Sequence, residues 1–99
     1  MTHLILFQDN PNAPADVRAK HMQAHLSFLE AASYKIEAAG PLFTTNGVGA
    51  GGAWLVNGSA DEAEALIHAD PFWPTGLRDT HQVLEWRKVF AGGRRLILP

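Results

Sequence analysis

Three segments of this chain are apolar on both sides of an extended backbone. In His3–Phe7, Leu4 and Leu6 alternate with Ile5 and Phe7. In Ala53–Asn57, Trp54 and Val56 alternate with Ala53 and Leu55. In Thr80–Phe90, Leu84 and Trp86 alternate with Val83 and Val89. Successive side chains of a strand point to opposite faces, and a sheet packed on one side only alternates apolar with polar. These strands therefore need cover on both faces.

The rest of the chain supplies cover for one. After Asn10, Pro11, Asn12 and Pro14, a stiff turn, Asp16 can cap a helix running to about Ala39. On a helical wheel Val17, His21, His25, Phe28, Leu29, Ala32, Ile36 and Ala39 fall on one face. Gly40-Pro41 reads as its stop. Leu42–Thr45 reads as a second strand and Ala53–Asn57 as a third, joined by the glycine-rich loop 46–52. Ser59-Ala60-Asp61-Glu62 is a capping box that starts a second helix over Ala60–Ala69, and Pro71 ends it at Asp70. Phe72–Leu77 is an aromatic loop, Thr80–Phe90 the last strand, and Gly92-Gly93 releases a tail, Arg94–Pro99.

The order βαββαβ predicts an α+β fold: a ferredoxin-like antiparallel sheet with two helices on one face. The simplest cover for the other face is the same face of a second copy about a two-fold axis, giving a dimeric α/β barrel. The 99 residues are read as one domain, with a core of about 2–90 and a tail 91–99. A chain this short buries only about 60–65% of its unfolded surface, which also favours a homodimer.

A formal charge of -2 argues against a nucleic-acid partner and against a polybasic membrane anchor. No apolar run reaches the ~20 residues needed to span a bilayer. The start, with five apolar residues and no basic segment, does not read as a signal peptide, so a cytoplasmic location is expected. With no cysteine there is no disulfide framework, thiolate metal site or Cys nucleophile.

His25 sits in the middle of the apolar helix face. Taken by itself it fits a core histidine whose nitrogens are satisfied. Arg18 is seven residues earlier and His21 one turn earlier on the same stripe, which suits pocket lining better than core. Asp70 stands at the negative end of the second helix, where a carboxylate is disfavoured without a compensating cation or donor. Two helices side by side on one sheet face can bring Asp70 to His25. Such a pair fixes the tautomer and raises the basicity of an imidazole, which suits acid–base work near neutral pH. His25 and Asp70 are therefore the candidate catalytic residues. Arg18, His21, Pro71, Phe72 and Trp73 are the candidate substrate contacts. His21 and His25 also have the i, i+4 spacing of two metal ligands, with Asp70 or His68 as a third, but the Glu of the zinc protease motif is missing. No metal and no cofactor are assigned. The glycine loop lacks the Lys-Ser/Thr of a phosphate-binding loop and does not lead into a helix.

Arg18-x6-His25-Leu26, Ala39-Gly40-Pro41-Leu42, a glycine-containing hairpin, Glu62-Ala63, Ala69-Asp70-Pro71-Phe72, Gly76 and Glu85-Trp86-Arg87-Lys88-Val89-Phe90 follow one another in this order. In this the chain resembles the YCII-related (YciI-like) family, over nearly its whole length to about Phe90. The resemblance implies a dimeric ferredoxin-like α+β barrel with a site built on a His–Asp pair. His25 matches the family's histidine, Asp70 its aspartate and Arg18 its arginine, while Met22 stands where many members have a basic residue. The family is similar to a dehydrochlorinase of chlorinated hydroxyquinols, and in fold to muconolactone isomerase and cofactor-free monooxygenases. The expected function is a small-molecule lyase or isomerase acting on a cyclic or aromatic substrate. The alternative is a non-catalytic ligand-binding or stress-associated dimeric module that uses the same pocket.

Overall fold

A computed structural model describes residues 1–98; Pro99, the last residue of the expected tail, lies outside them. Alternating side chains in β1 (Thr2–Asp9) put His3, Ile5 and Phe7 on one side and Leu4 and Leu6 on the other. There follow α1 (Val17–Ala31), β2 (Ile36–Phe43), β3 (Gly49–Asn57), α2 (Ala60–Ala69), a 3-10 turn (Trp73–Thr75) and β4 (Arg78–Glu85). The four strands form one antiparallel sheet in the order β2-β3-β1-β4. Ile5, Phe7, Trp54 and Val56 pack with Phe28 and Leu29 of α1 and with Ala63, Leu66 and Ile67 of α2 in a single core, so both helices lie on the same sheet face. This is the expected α+β, ferredoxin-like architecture.

Several boundaries differ from expectation. The first helix ends at Ala31, not near Ala39. The Ala32 N–H bonds back to the Phe28 and Leu29 carbonyls, and the Lys35 and Ile36 N–H groups both reach the Ala32 carbonyl, which turns the chain. Ile36 stays buried against the core, now as the first residue of a strand. Ala32 and Ile36 fit a helical stripe and a turn-plus-strand equally well, and pairing along β3 decides between them. Gly40 and Pro41 lie inside β2 opposite Ala53 and Gly52. Proline is tolerated there because β2 is an edge strand, where a missing N–H need cost no ladder bond. Asp16 occupies the N-cap position of α1 with near-helical backbone angles, and its side chain makes no capping bond. Ser59 and Glu62 form the expected capping box.

β3 begins at Gly49 rather than Ala53, and its turn tightens to Thr44–Val48, closed by bonds from the Gly47 N–H to the Thr44 carbonyl and from the Thr44 N–H to the Val48 carbonyl. β4 ends at Glu85, earlier than expected. Beyond it, β5 (Phe90–Ala91) and β6 (Arg94–Arg95) form a separate small hairpin. Gly92 and Gly93 both have positive φ, 59° and 76°, as a two-residue hairpin turn requires. They close a turn instead of releasing a tail.

Among the described residues, no helix covers the sheet's other face. Ala38, Leu55, Leu4 and Leu84 form a continuous row across all four strands. Leu84 is exposed, and Leu4 and Leu55 are half-buried. No helix among the described residues is long and apolar enough to cross a membrane.

Candidate active site

α1 turns the His25 ring toward the sheet, between Phe72, 4.5 Å away centroid to centroid, and Trp54 at 6.5 Å. At the end of α2, Pro71 forces extended backbone on Asp70 (ψ 132°). The Asp70 carboxylate turns back over the next residue, and Oδ1 accepts the Phe72 N–H at 3.0 Å, the geometry of an Asx-turn. The same oxygen lies 2.9 Å from Nδ1 of His25. On the other side, Oδ2 is 2.8 Å from Nη1 of Arg78, an ion-pair distance without the alignment of a hydrogen bond. Asp70 is 1% exposed, so these partners replace water.

Burial by itself pushes the Asp70 carboxyl up. The hydrogen bonds from His25 and the Phe72 N–H, with the charge of Arg78, outweigh it and hold the group below the ordinary carboxylate range. An ionised Asp70 accepts, so Nδ1 of His25 is the donor; in the neutral ring this tautomer leaves Nε2 as the nitrogen with a free lone pair. Desolvation pulls the Arg78 guanidinium below its usual value, partly opposed by Asp70, and it remains a cation. Its central carbon stands 3.9 Å from the centroid of the Phe7 ring.

These groups border a cavity of about 130 Å³ whose walls include Phe7, Leu29, Trp54 and Phe72, with His25, Arg78, Arg18 and Asp9 as its polar lining. Arg18 is held by Asp9, with Nη2 2.7 Å from Oδ2, and both are partly exposed. Of the residues expected from sequence, His25, Arg18 and Phe72 line this cavity, and Asp70 is buried against His25 without lining it. His21 and Pro71 line a different, open groove with Val17, Lys20 and Pro74. Trp73 stacks on His68 at 4.2 Å and meets His81 edge-on. Among the described residues no three His, Asp or Glu side chains are grouped as a metal site requires.

Arg78, Phe7 and Trp54 were not foreseen as site residues. Strict alternation along β4 groups Arg78 with Thr80 and Gln82, away from the face of His81 and Val83. A bulge intervenes: Gln8 pairs with Thr80 and Asp9 with Arg78, which leaves Asp79 as an extra residue. That shift re-aims Arg78 to the helix side, and no signal in the sequence of β4 marks it.

A family model for the YCII-related domain matches residues 1–87. No curated protein matches the chain. Among solved structures, the chain is similar to 5-chloro-2-hydroxyhydroquinone dehydrochlorinase from Burkholderia phenoliruptrix AC1100 in complex with 2,5-dihydroxybenzoquinone. The two are 27% identical over 88% of this chain and 94% of that one, with a TM-score of 0.71.

Proposed function

The chain belongs to the YCII-related domain family, and from that premise we propose that it is a homodimeric lyase or isomerase that moves a proton on a small single-ring substrate. The observation that carries this is the buried hydrogen bond between His25 Nδ1 and Asp70 Oδ1 at the edge of an aromatic cavity. Asp70 holds the imidazole by Nδ1 and compensates the charge it gains on protonation. Nε2 is then the base. It takes a proton from a ring O–H or C–H, and the electron pair of that bond enters the ring as C=O or C=C. In an isomerisation the imidazolium returns the proton to another ring atom. In an elimination the leaving group departs with its bonding pair and the proton passes to water.

The cavity's size supports one ring. At about 130 Å³ it is close to the ~150 Å³ apolar cavity that accepts benzene, and Phe7, Trp54 and Phe72 are among its walls. The similar dehydrochlorinase holds a six-membered ring. The uncovered apolar row Ala38–Leu55–Leu4–Leu84 is the surface expected to meet a second copy.

The test is turnover of a panel of hydroxylated benzenes and quinones that includes 5-chloro-2-hydroxyhydroquinone. His25→Ala and Asp70→Asn are each expected to lower the rate by about 10²–10⁴. Full turnover in both variants would remove the acid–base reading. Ring binding without turnover, unchanged in both variants, would also contradict it and favour a binding module.

A further inference from the structure

Arg78 has more hydrogen-bonding capacity than the protein uses. A guanidinium carries five donors. Here the side chain is nine-tenths out of water, Asp70 is the one carboxylate within ion-pair reach among the described residues, and even that contact lacks hydrogen-bond alignment. Asp70 is shared as well, because its other oxygen serves His25 and the Phe72 N–H. The guanidinium of Arg78 stands over the Phe7 ring, and the side chain borders the cavity. A planar cation held against an aromatic wall, with donors left over, is equipped to bind oxygen atoms carried by a ligand.

The charges point the same way. With a neutral imidazole, Asp70 and Arg78 cancel. When His25 gains a proton the trio carries one net positive charge in a nearly dry site. Arg18 does not alter the sum, because Asp9 neutralises it at the mouth. A ring oxygen that is negative, or becomes negative as His25 takes the proton, is the complement of this arrangement.

We propose that Arg78 is a specificity-determining residue that binds a negatively charged ring oxygen, a phenolate, enolate or ring carboxylate, so that the cavity selects anionic single rings over neutral ones of the same size. This rests on the acid–base reading of the same cavity, since it places the anion beside the base. A purely structural Arg78–Asp70 bridge predicts no ligand charge preference.

The experiment compares two rings of similar size by quenching of tryptophan fluorescence, with calorimetry as a check: 2,5-dihydroxybenzoquinone, ionised at neutral pH, and hydroquinone, which is neutral. The wild-type protein is expected to bind the anion at least about tenfold more tightly. Arg78→Met should abolish that preference, bringing the two affinities to within about twofold of each other. Should the Met variant fail to fold, Arg78→Lys, which keeps the charge but not the planar fork, should weaken the anion alone. No preference in the wild type, or a preference that survives in the folded variant, overturns the assignment. Failure of the wild type to bind either ring overturns it together with the reading it rests on. His25→Ala separates the two claims: unaltered turnover with an intact charge preference sinks the acid–base reading alone, and loss of turnover with no charge preference sinks the Arg78 assignment alone.

Discussion

Asp70 is a carboxylate with 1% exposure at the negative end of a helix, and two donors and the Arg78 cation keep it ionised there. Its folded pKa is depressed, so the stability it contributes is complete above the unfolded value of about 3.9 and is lost as pH falls through the lower folded value. Asp70→Asn should therefore flatten the loss of stability below about pH 4, as read from urea unfolding across pH. At neutral pH the same change strands the buried Arg78 cation and should cost on the order of 3 kcal/mol. An unchanged acid limb would mean that the carboxylate does not titrate as its partners imply. His25 and Asp70 were legible in the sequence because each is chemically out of place, one on an apolar stripe and one before a proline at a helix end. Arg78 was not legible, because the β4 bulge that points it inward depends on register against β1 and leaves no mark on local alternation.

Glycine is required at one place in β3 and is dispensable at another. Gly51 has φ +84°, and a Cβ there would stand 1.9 Å from the Phe7 carbonyl oxygen, whereas Gly49 has nothing within 4 Å. Gly51→Ala should lower stability by at least about 1–3 kcal/mol in thermal unfolding, and Gly49→Ala should be close to neutral. Equal effects would place the tight approach of β3 to β1 elsewhere. The elements themselves were legible wherever punctuation and pattern agreed, as in α2 between its capping box and Asp70-Pro71. They are ambiguous where one residue serves two periods. Ala32 and Ile36 continue the apolar stripe of α1, yet the chain turns between them, and Gly40-Pro41, a helix stop in most contexts, lies comfortably on an edge strand.

The molecule measures 48 × 32 × 20 Å with a radius of gyration of 14.6 Å, larger than the ~13 Å of a compact chain of this length. A 20 Å thickness is one sheet plus one layer of helices, so the slab is finished on one side only. The apolar row through Leu55, Leu4 and Leu84 explains why these strands are apolar on both faces, and we expect a second copy to cover it. Light scattering should give twice 10.8 kDa for the native chain and 10.8 kDa for Leu84→Lys, since a charge buried in that interface is unpaired. A native monomer at micromolar concentration would contradict the dimer.

The proposed acid–base chemistry requires His25 and Asp70 to act as one unit. The most direct test is the rate on a single turned-over ring substrate for the wild type, His25→Ala, Asp70→Asn and the double variant. Because Asp70 acts through the imidazole, the double variant should be no slower than His25→Ala alone. Losses that multiply, with the double variant slower by the product of the two single effects, would show that the two groups work independently and would contradict the pair.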